Sequence, residues 1–119
     1  MVNATVTPVS GDGSVSLYSY VLTTANGVGS EFQEAPWADR SVQVNGTWGG
    51  ASLVLEGSND GVTYEILRDP SSLPLLFTSN GLKQILEVAM YIRPRLSVAG
   101  SGANLNVSIV VHRPTPMRT

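Results

Sequence analysis

Arg40-Ser41-Val42-Gln43-Val44-Asn45-Gly46-Thr47-Trp48 opens the stretch, running on to Leu67, whose reading decides the fold. Val42, Val44, Gly46 and Trp48 share one parity; so do Ala51, Leu53 and Leu55, and then Val62, Tyr64 and Ile66. A period of two belongs to strands with one face buried and one solvated. Between the last two runs lies Gly57-Ser58-Asn59-Asp60-Gly61, where Asp-Gly supplies the positive φ of a tight hairpin turn. The stretch predicts two or three strands around tight turns, with Trp48 and Tyr64 pointing into the core.

Working outward, Val2 to Val9 alternates loosely and is closed by the turn cluster Ser10-Gly11-Asp12-Gly13. Val15 to Thr24 is the next strand, with Val15, Leu17 and Val21 on one parity and Tyr18, Tyr20 and Leu22 on the other. Both faces are partly apolar. Either the fold covers both, with Leu73–Phe77 as the cover, or one face is a subunit contact. Ala25 to Asp39 is a looser connection carrying Trp37. Asp69-Pro70-Ser71-Ser72 breaks the sheet, Leu73–Thr78 forms a short edge strand with Pro74 at its rim, and Ser79-Asn80-Gly81 turns again.

From Gln84 onward Leu86, Val88, Met90, Ile92, Pro94, Leu96 and Val98 keep one phase, which predicts one bent strand or two strands across a bulge. Tyr91, Arg93 and Arg95 then project together from the opposite face. Leu105, Val107, Ile109 and Val111 form the last strand, and Pro114-Thr115-Pro116 stops further pairing. Leu82–Met90 is the one helical contender, and its Leu, Ile, Val and Met content fits a buried strand better. About eight strands at short spacing predict an all-β, antiparallel, jelly-roll-like β-sandwich. It is one domain over residues 1–119, with an extended tail over 113–119.

Composition narrows the function. The 119 residues suffice for a core without staples, and 42% of them are hydrophobic. Only 13% are charged, about half the usual share, which suits a protein packed against others. The net charge of −2 argues against a duplex-binding surface. Six of the seven basic residues are Arg, four of them in the last 27 positions, and Arg is the residue that pairs with carboxylates across interfaces. The absence of cysteine excludes disulfides and thiolate metal sites. No apolar run reaches membrane-spanning length, and the start lacks the pattern of a signal peptide. The expectation is a soluble protein made in a reducing cytoplasm, where the sequons at Asn3, Asn45 and Asn106 carry no meaning.

Catalytic patterns are thin. His112 is the one histidine, with no nucleophile elbow to serve, and reads as structural or solvent-exposed. Glu56 and Glu65 flank the hairpin turn, as a glycosidase pair would flank a bond, but two carboxylates on an open strand surface also read as a solvated face pairing with Arg68. Asn59-Asp60-Gly61 lacks the remaining ligands of a calcium loop, and no phosphate loop is present. No enzyme, cofactor or metal is expected. Arg93-Pro94-Arg95 is the most pointed constellation, because like charges on one face need anions to meet them. Those anions are acids of the same subunit or of a neighbour.

Two runs carry a resemblance: Gly46-Thr47-Trp48-Gly49-Gly50-Ala51-Ser52-Leu53-Val54-Leu55-Glu56-Gly57-Ser58-Asn59-Asp60-Gly61 and Tyr91-Ile92-Arg93-Pro94-Arg95-Leu96. Over Arg40 to Val111 the chain resembles the capsid decoration, or cement, proteins of tailed bacteriophages. "Strand, Gly-Ser-Asn-Asp-Gly, strand" also occurs in phage tail modules and carbohydrate-binding sandwiches. The resemblance implies a sandwich that trimerises and sits on the outside of the capsid, bridging capsomers of the major capsid protein, with no nucleic acid or membrane partner. Tyr18, Tyr20, Trp37, Tyr91, Arg93, Arg95, Met117 and Arg118 are the residues expected at contacts. A tail or fibre module gripping glycans through loop aromatics such as Trp37 is the alternative.

Overall fold

The computed structural model describes residues 1–8, 15–32, 39–87 and 89–112. Trp37, Met117 and Arg118, three of the expected contact residues, lie outside the described residues, as does the tail over 113–119. Among the described residues there are nine strands and no helix: β1 (Thr5–Pro8), β2 (Val15–Thr23), β3 (Asp39–Thr47), β4 (Ser52–Ser58), β5 (Glu65–Ile66), β6 (Leu76–Phe77), β7 (Gly81–Gln84), β8 (Tyr91–Val98) and β9 (Asn104–His112).

They form two antiparallel sheets. Sheet one has five strands in the order β1-β2-β9-β3-β7. In sheet two, β8 pairs with β4 along its whole length, so β5 and β6 share β4's other edge, at Glu56–Gly57 and Leu53–Val54 respectively. On the far edge of β8, Val28 and Phe32 bridge to Arg95 and Ile92. The chain thus alternates between sheets: β2, the Val28–Phe32 segment, β3, β4 to β6, β7, β8 and β9. That path is the winding of a jelly roll, and the expected sandwich is the one observed.

β9 explains why the sheets close on each other. It lies between β2 and β3 in register over its full length. Leu105, Val107, Ile109 and Val111 are fully buried along one face, each contributing roughly 1.5–3 kcal/mol of apolar burial. Opposite them stand Leu53 and Leu55 of β4 and Ile92 and Leu96 of β8 in the same cluster. Pro94 is accommodated within β8 because its carbonyl accepts from Gly29 N–H at 2.9 Å. In an antiparallel strand the N–H and C=O of a residue point to the same side, so the missing donor faces the loosely bridged edge, where Pro is tolerated.

Several local expectations are corrected. β3 and β4 do not form a hairpin, since the turn after Trp48 carries the chain from one sheet to the other. Trp48 is half-buried rather than enclosed, packing against the core while its Nε1–H donates to Asn80 Oδ1 at 2.9 Å. The phase of Val62, Tyr64 and Ile66 is not inward: Val62 is 83% exposed and Ile66 44%. The connection from β4 to β5 is longer than a two-residue turn, so the register shifts and Leu67 is buried instead. Ser58 and Asp60 organise that loop. Asp60 Oδ1 accepts from Val62 N–H at 2.8 Å and Thr63 N–H at 2.9 Å, and Gly61 has φ +75°, as the Asp-Gly pair predicts.

The single phase expected from Leu86 to Val98 breaks as well. β7 and β8 belong to different sheets, and the crossing residues Leu86 and Met90 are exposed while Ile85 is buried. The edge strand expected near Leu73–Thr78 is present as β6, with Pro74 bridging Arg68 at the rim.

Candidate functional site

The expected contact residues separate into interior and surface groups. Tyr18 and Tyr20 are interior side chains, which corrects their assignment to an interface. Tyr18 stacks on Phe32 with ring centroids 4.3 Å apart and 15° between planes. The Tyr20 hydroxyl donates to the Ser30 carbonyl at 2.8 Å, and burial pushes its phenol above the ordinary range. The cover over this face of β2 therefore includes Phe32, a residue in the connection that periodicity did not single out.

Tyr91, Arg93 and Arg95 do share a face, as their parity predicts. Ile92, Pro94 and Leu96 point inward, so the odd residues of β8 stand on the outer face of sheet two. The neighbouring strand presents Val54, Glu56 and Ser58 on that side, and all three are buried. β4 pairs Glu56 with Arg93 and Val54 with Arg95. The register therefore sets one carboxylate between two guanidiniums.

Glu56 Oε1 accepts from Arg93 Nε at 2.7 Å and from Arg95 Nε at 3.1 Å. The Glu56 side chain is 5% exposed, against 22% for Arg93 and 35% for Arg95. The Arg93 guanidinium also lies 3.8 Å from the centre of the Tyr64 ring, a cation–π contact that holds its plane. Beyond the ring, the Tyr64 hydroxyl donates to Glu31 Oε2 at 3.4 Å. Burial raises the Tyr64 phenol, the Glu31 carboxylate raises it further, and Arg93 opposes them.

This arrangement corrects the reading of Glu56 and Glu65 as a solvated or paired carboxylate surface. Glu56 is a buried counter-ion, and Glu65 is exposed at the edge, opposite Gly57. Arg68 is not their partner: its Nε donates to Glu87 Oε2 at 3.0 Å, and its backbone N–H to Glu87 Oε1 at 2.6 Å. His112 ends β9 and is half-buried. Among the described residues no group of three His, Cys, Asp or Glu side chains is placed to hold a metal ion.

An open concavity of about 780 Å³ lies at the end of the sandwich where β4 turns into β5. Gly57, Ile66, Leu67 and Ala89 supply its apolar lining, and Asn59, Thr63, Glu65, Arg68 and Glu87 its polar groups. Gly57 is required there, because a Cβ on it would lie 2.8 Å from both Ala89 Cβ and Leu67 Cδ2.

Tyr64 and Glu31 are the site residues that the sequence reading missed. Alternation points Tyr64 inward, and nothing in the spacing links Glu31 to a residue 33 positions away.

Fold and site together define a jelly-roll β-sandwich whose most organised polar cluster is a counter-ion assembly on a sheet face. No protein-family model matches the chain, and no curated protein matches it. Among solved structures, it is similar to the crystal structure of SPBc2 prophage-derived protein YomS. The TM-score is 0.56 at 11% identity, covering 80% of this chain and 93% of that one. At that identity the likeness shows a shared fold.

Proposed function

We propose that this chain is a structural protein of a tailed bacteriophage: a capsid decoration protein, made in the host cytoplasm, that binds the outer capsid lattice as a homotrimer and stabilises the head. The observation that carries the reading is the jelly-roll fold, shared with a prophage-derived protein across most of both chains. The resemblance of Gly46–Gly61 and Tyr91–Leu96 to cement proteins supports it.

The surface is in keeping with such a role. Ile66, Leu73, Leu76, Leu82 and Leu86, on the side of the sandwich formed by β5, β6 and β7, are each at least 44% exposed. Apolar residues in such numbers on one side are a mark of partner surfaces. Stabilisation then comes from copy number, since many modest interfaces on a shell sum by avidity. On this reading the working residues are contacts, and no catalysis is involved.

Electron microscopy of purified particles tests the proposal. Density for the protein on the outer capsid surface, and earlier melting of shells that lack it, are the expected results. Its absence from the head would remove the reading. The concavity beside Gly57 favours a second reading, a tail or fibre module binding carbohydrate. Density on the tail, together with glycan binding lost on Thr63→Trp in that concavity, would select it.

A further inference from the structure

The outer face of sheet two carries two guanidiniums for one carboxylate. Both Arg93 and Arg95 spend their Nε–H on the same oxygen, Oε1 of Glu56. Among the described residues no other acceptor is hydrogen-bonded to either side chain, so their terminal amino groups keep donors to offer. Arg93 is held twice, by Glu56 at its Nε and by Tyr64 against its face. Standing two residues apart on one strand face, the two forks are separated by roughly 7 Å at their backbones.

Two adjacent cations hydrogen-bond the one buried anion, with Glu31 set apart beyond the Tyr64 ring, so the pair is held in place before any partner arrives. The guanidinium edge matches a carboxylate in a bidentate geometry. We propose that Arg93 and Arg95, braced by Glu56 and Tyr64, receive a carboxylate from an acidic protein surface laid against the outer face of sheet two. This inference rests on the assembly reading and names the chemistry of the partner at one contact.

The features of the face favour a protein over a sugar or a nucleic acid. Neither Arg lines the concavity that could enclose a saccharide. One face of Tyr64, the aromatic ring of this cluster, is already taken by Arg93. Two guanidiniums in a chain of net charge −2 fall short of the clustered cations that a nucleic-acid backbone requires.

The test uses the full-length chain labelled with ¹⁵N and a hexaglutamate peptide as the probe. The Nε–Hε signals of Arg93 and Arg95 should move together and saturably, while that of Arg68 stays in place. Raising salt from about 0.05 to about 0.3 M should weaken binding several-fold. Arg95→Lys keeps the charge beside Glu56 but loses the fork, and should weaken binding about threefold or more. Equal movement of Arg68, no movement at all, or equally tight binding of inorganic phosphate or sialyllactose would overturn the proposal.

Particle experiments separate this inference from the reading beneath it. Wild-type protein that binds hexaglutamate yet is absent from purified heads overturns the assembly reading and leaves the carboxylate site. Heads that retain Arg95→Lys as fully as wild type overturn the site and leave the assembly reading standing.

Discussion

β9 and β4 are both interior strands of their sheets, yet only one of them looks like it in sequence. β9 alternates cleanly: Leu105, Val107, Ile109 and Val111 are buried, and the residues between them are exposed or half-buried. β4 is buried at six consecutive positions from Leu53 to Ser58, one of them a glutamate. The difference lies in what covers the outer face. Water meets the outer face of β9, so its pattern has period two. The outer face of β4 lies under Arg93, Arg95 and Tyr64, so a charged residue is enclosed there with its partners. A strand's outer face can therefore be structural without being apolar, provided the register supplies counter-ions.

The comparison can be broken most forcefully from the β9 side. Ile109→Ala should cost about 3–4 kcal/mol in urea unfolding, because a fully buried side chain is replaced by a cavity. A loss near 1 kcal/mol would mean that the sheets can collapse over it. Next is Glu56→Gln, which leaves two guanidiniums facing each other without a full counter-charge. Because both are partly exposed, the expected cost is about 2 kcal/mol, less than for an enclosed pair. Ser108→Ala on the outer face of β9 serves as its control and should stay within about 0.5 kcal/mol. Equal, small effects of the two would erase the distinction between the faces.

Gly57→Ala tests the crowded end of β4. The added methyl meets Ala89 and Leu67 at 2.8 Å, and overpacking of this kind costs about 1–2 kcal/mol. Calorimetry should show the lower melting temperature. Trp48→Ala should cost about 1–2 kcal/mol, below the ~3–5 kcal/mol of an enclosed aromatic, since the ring is half-buried.

The smallest effect is one of pH. Backbone N–H groups of Thr63 and Val62 and the Ser58 hydroxyl lower the Asp60 carboxyl from 3.8 to about 2. A depressed acid stabilises the folded loop fully above its unfolded value and loses that contribution as pH falls through the folded one. Protection of the Val62 and Thr63 amides, taken relative to intrinsic exchange, should therefore fall between pH ~4 and ~2. Rates that follow only intrinsic exchange would show that Asp60 does not hold the loop.

Legibility followed local periodicity. β2, β3, β4, β8 and β9 are all foreshadowed by runs of period two, and the Asp60-Gly61 turn by its dipeptide. The misreadings fall where a strand is too short for a period to establish itself. β5 has two residues, so alternation points Val62 and Ile66 inward on a phase that the preceding loop has already broken. Tyr18 and Tyr20 look like contact residues in the sequence because the ring that covers Tyr18, Phe32, comes from a segment with no regular pattern.

Alternation and turn chemistry along the chain were enough for an antiparallel sandwich, for the strand positions, and for Tyr91, Arg93 and Arg95 sharing a face. These follow from backbone geometry within a few residues, which is local. Only tertiary structure decided which strands became neighbours, and so that Glu56 would be the anion between Arg93 and Arg95, 37 and 39 positions away. Pairing across such distances is settled by how whole sheets bury their apolar faces, a sum over the molecule that no window of sequence contains.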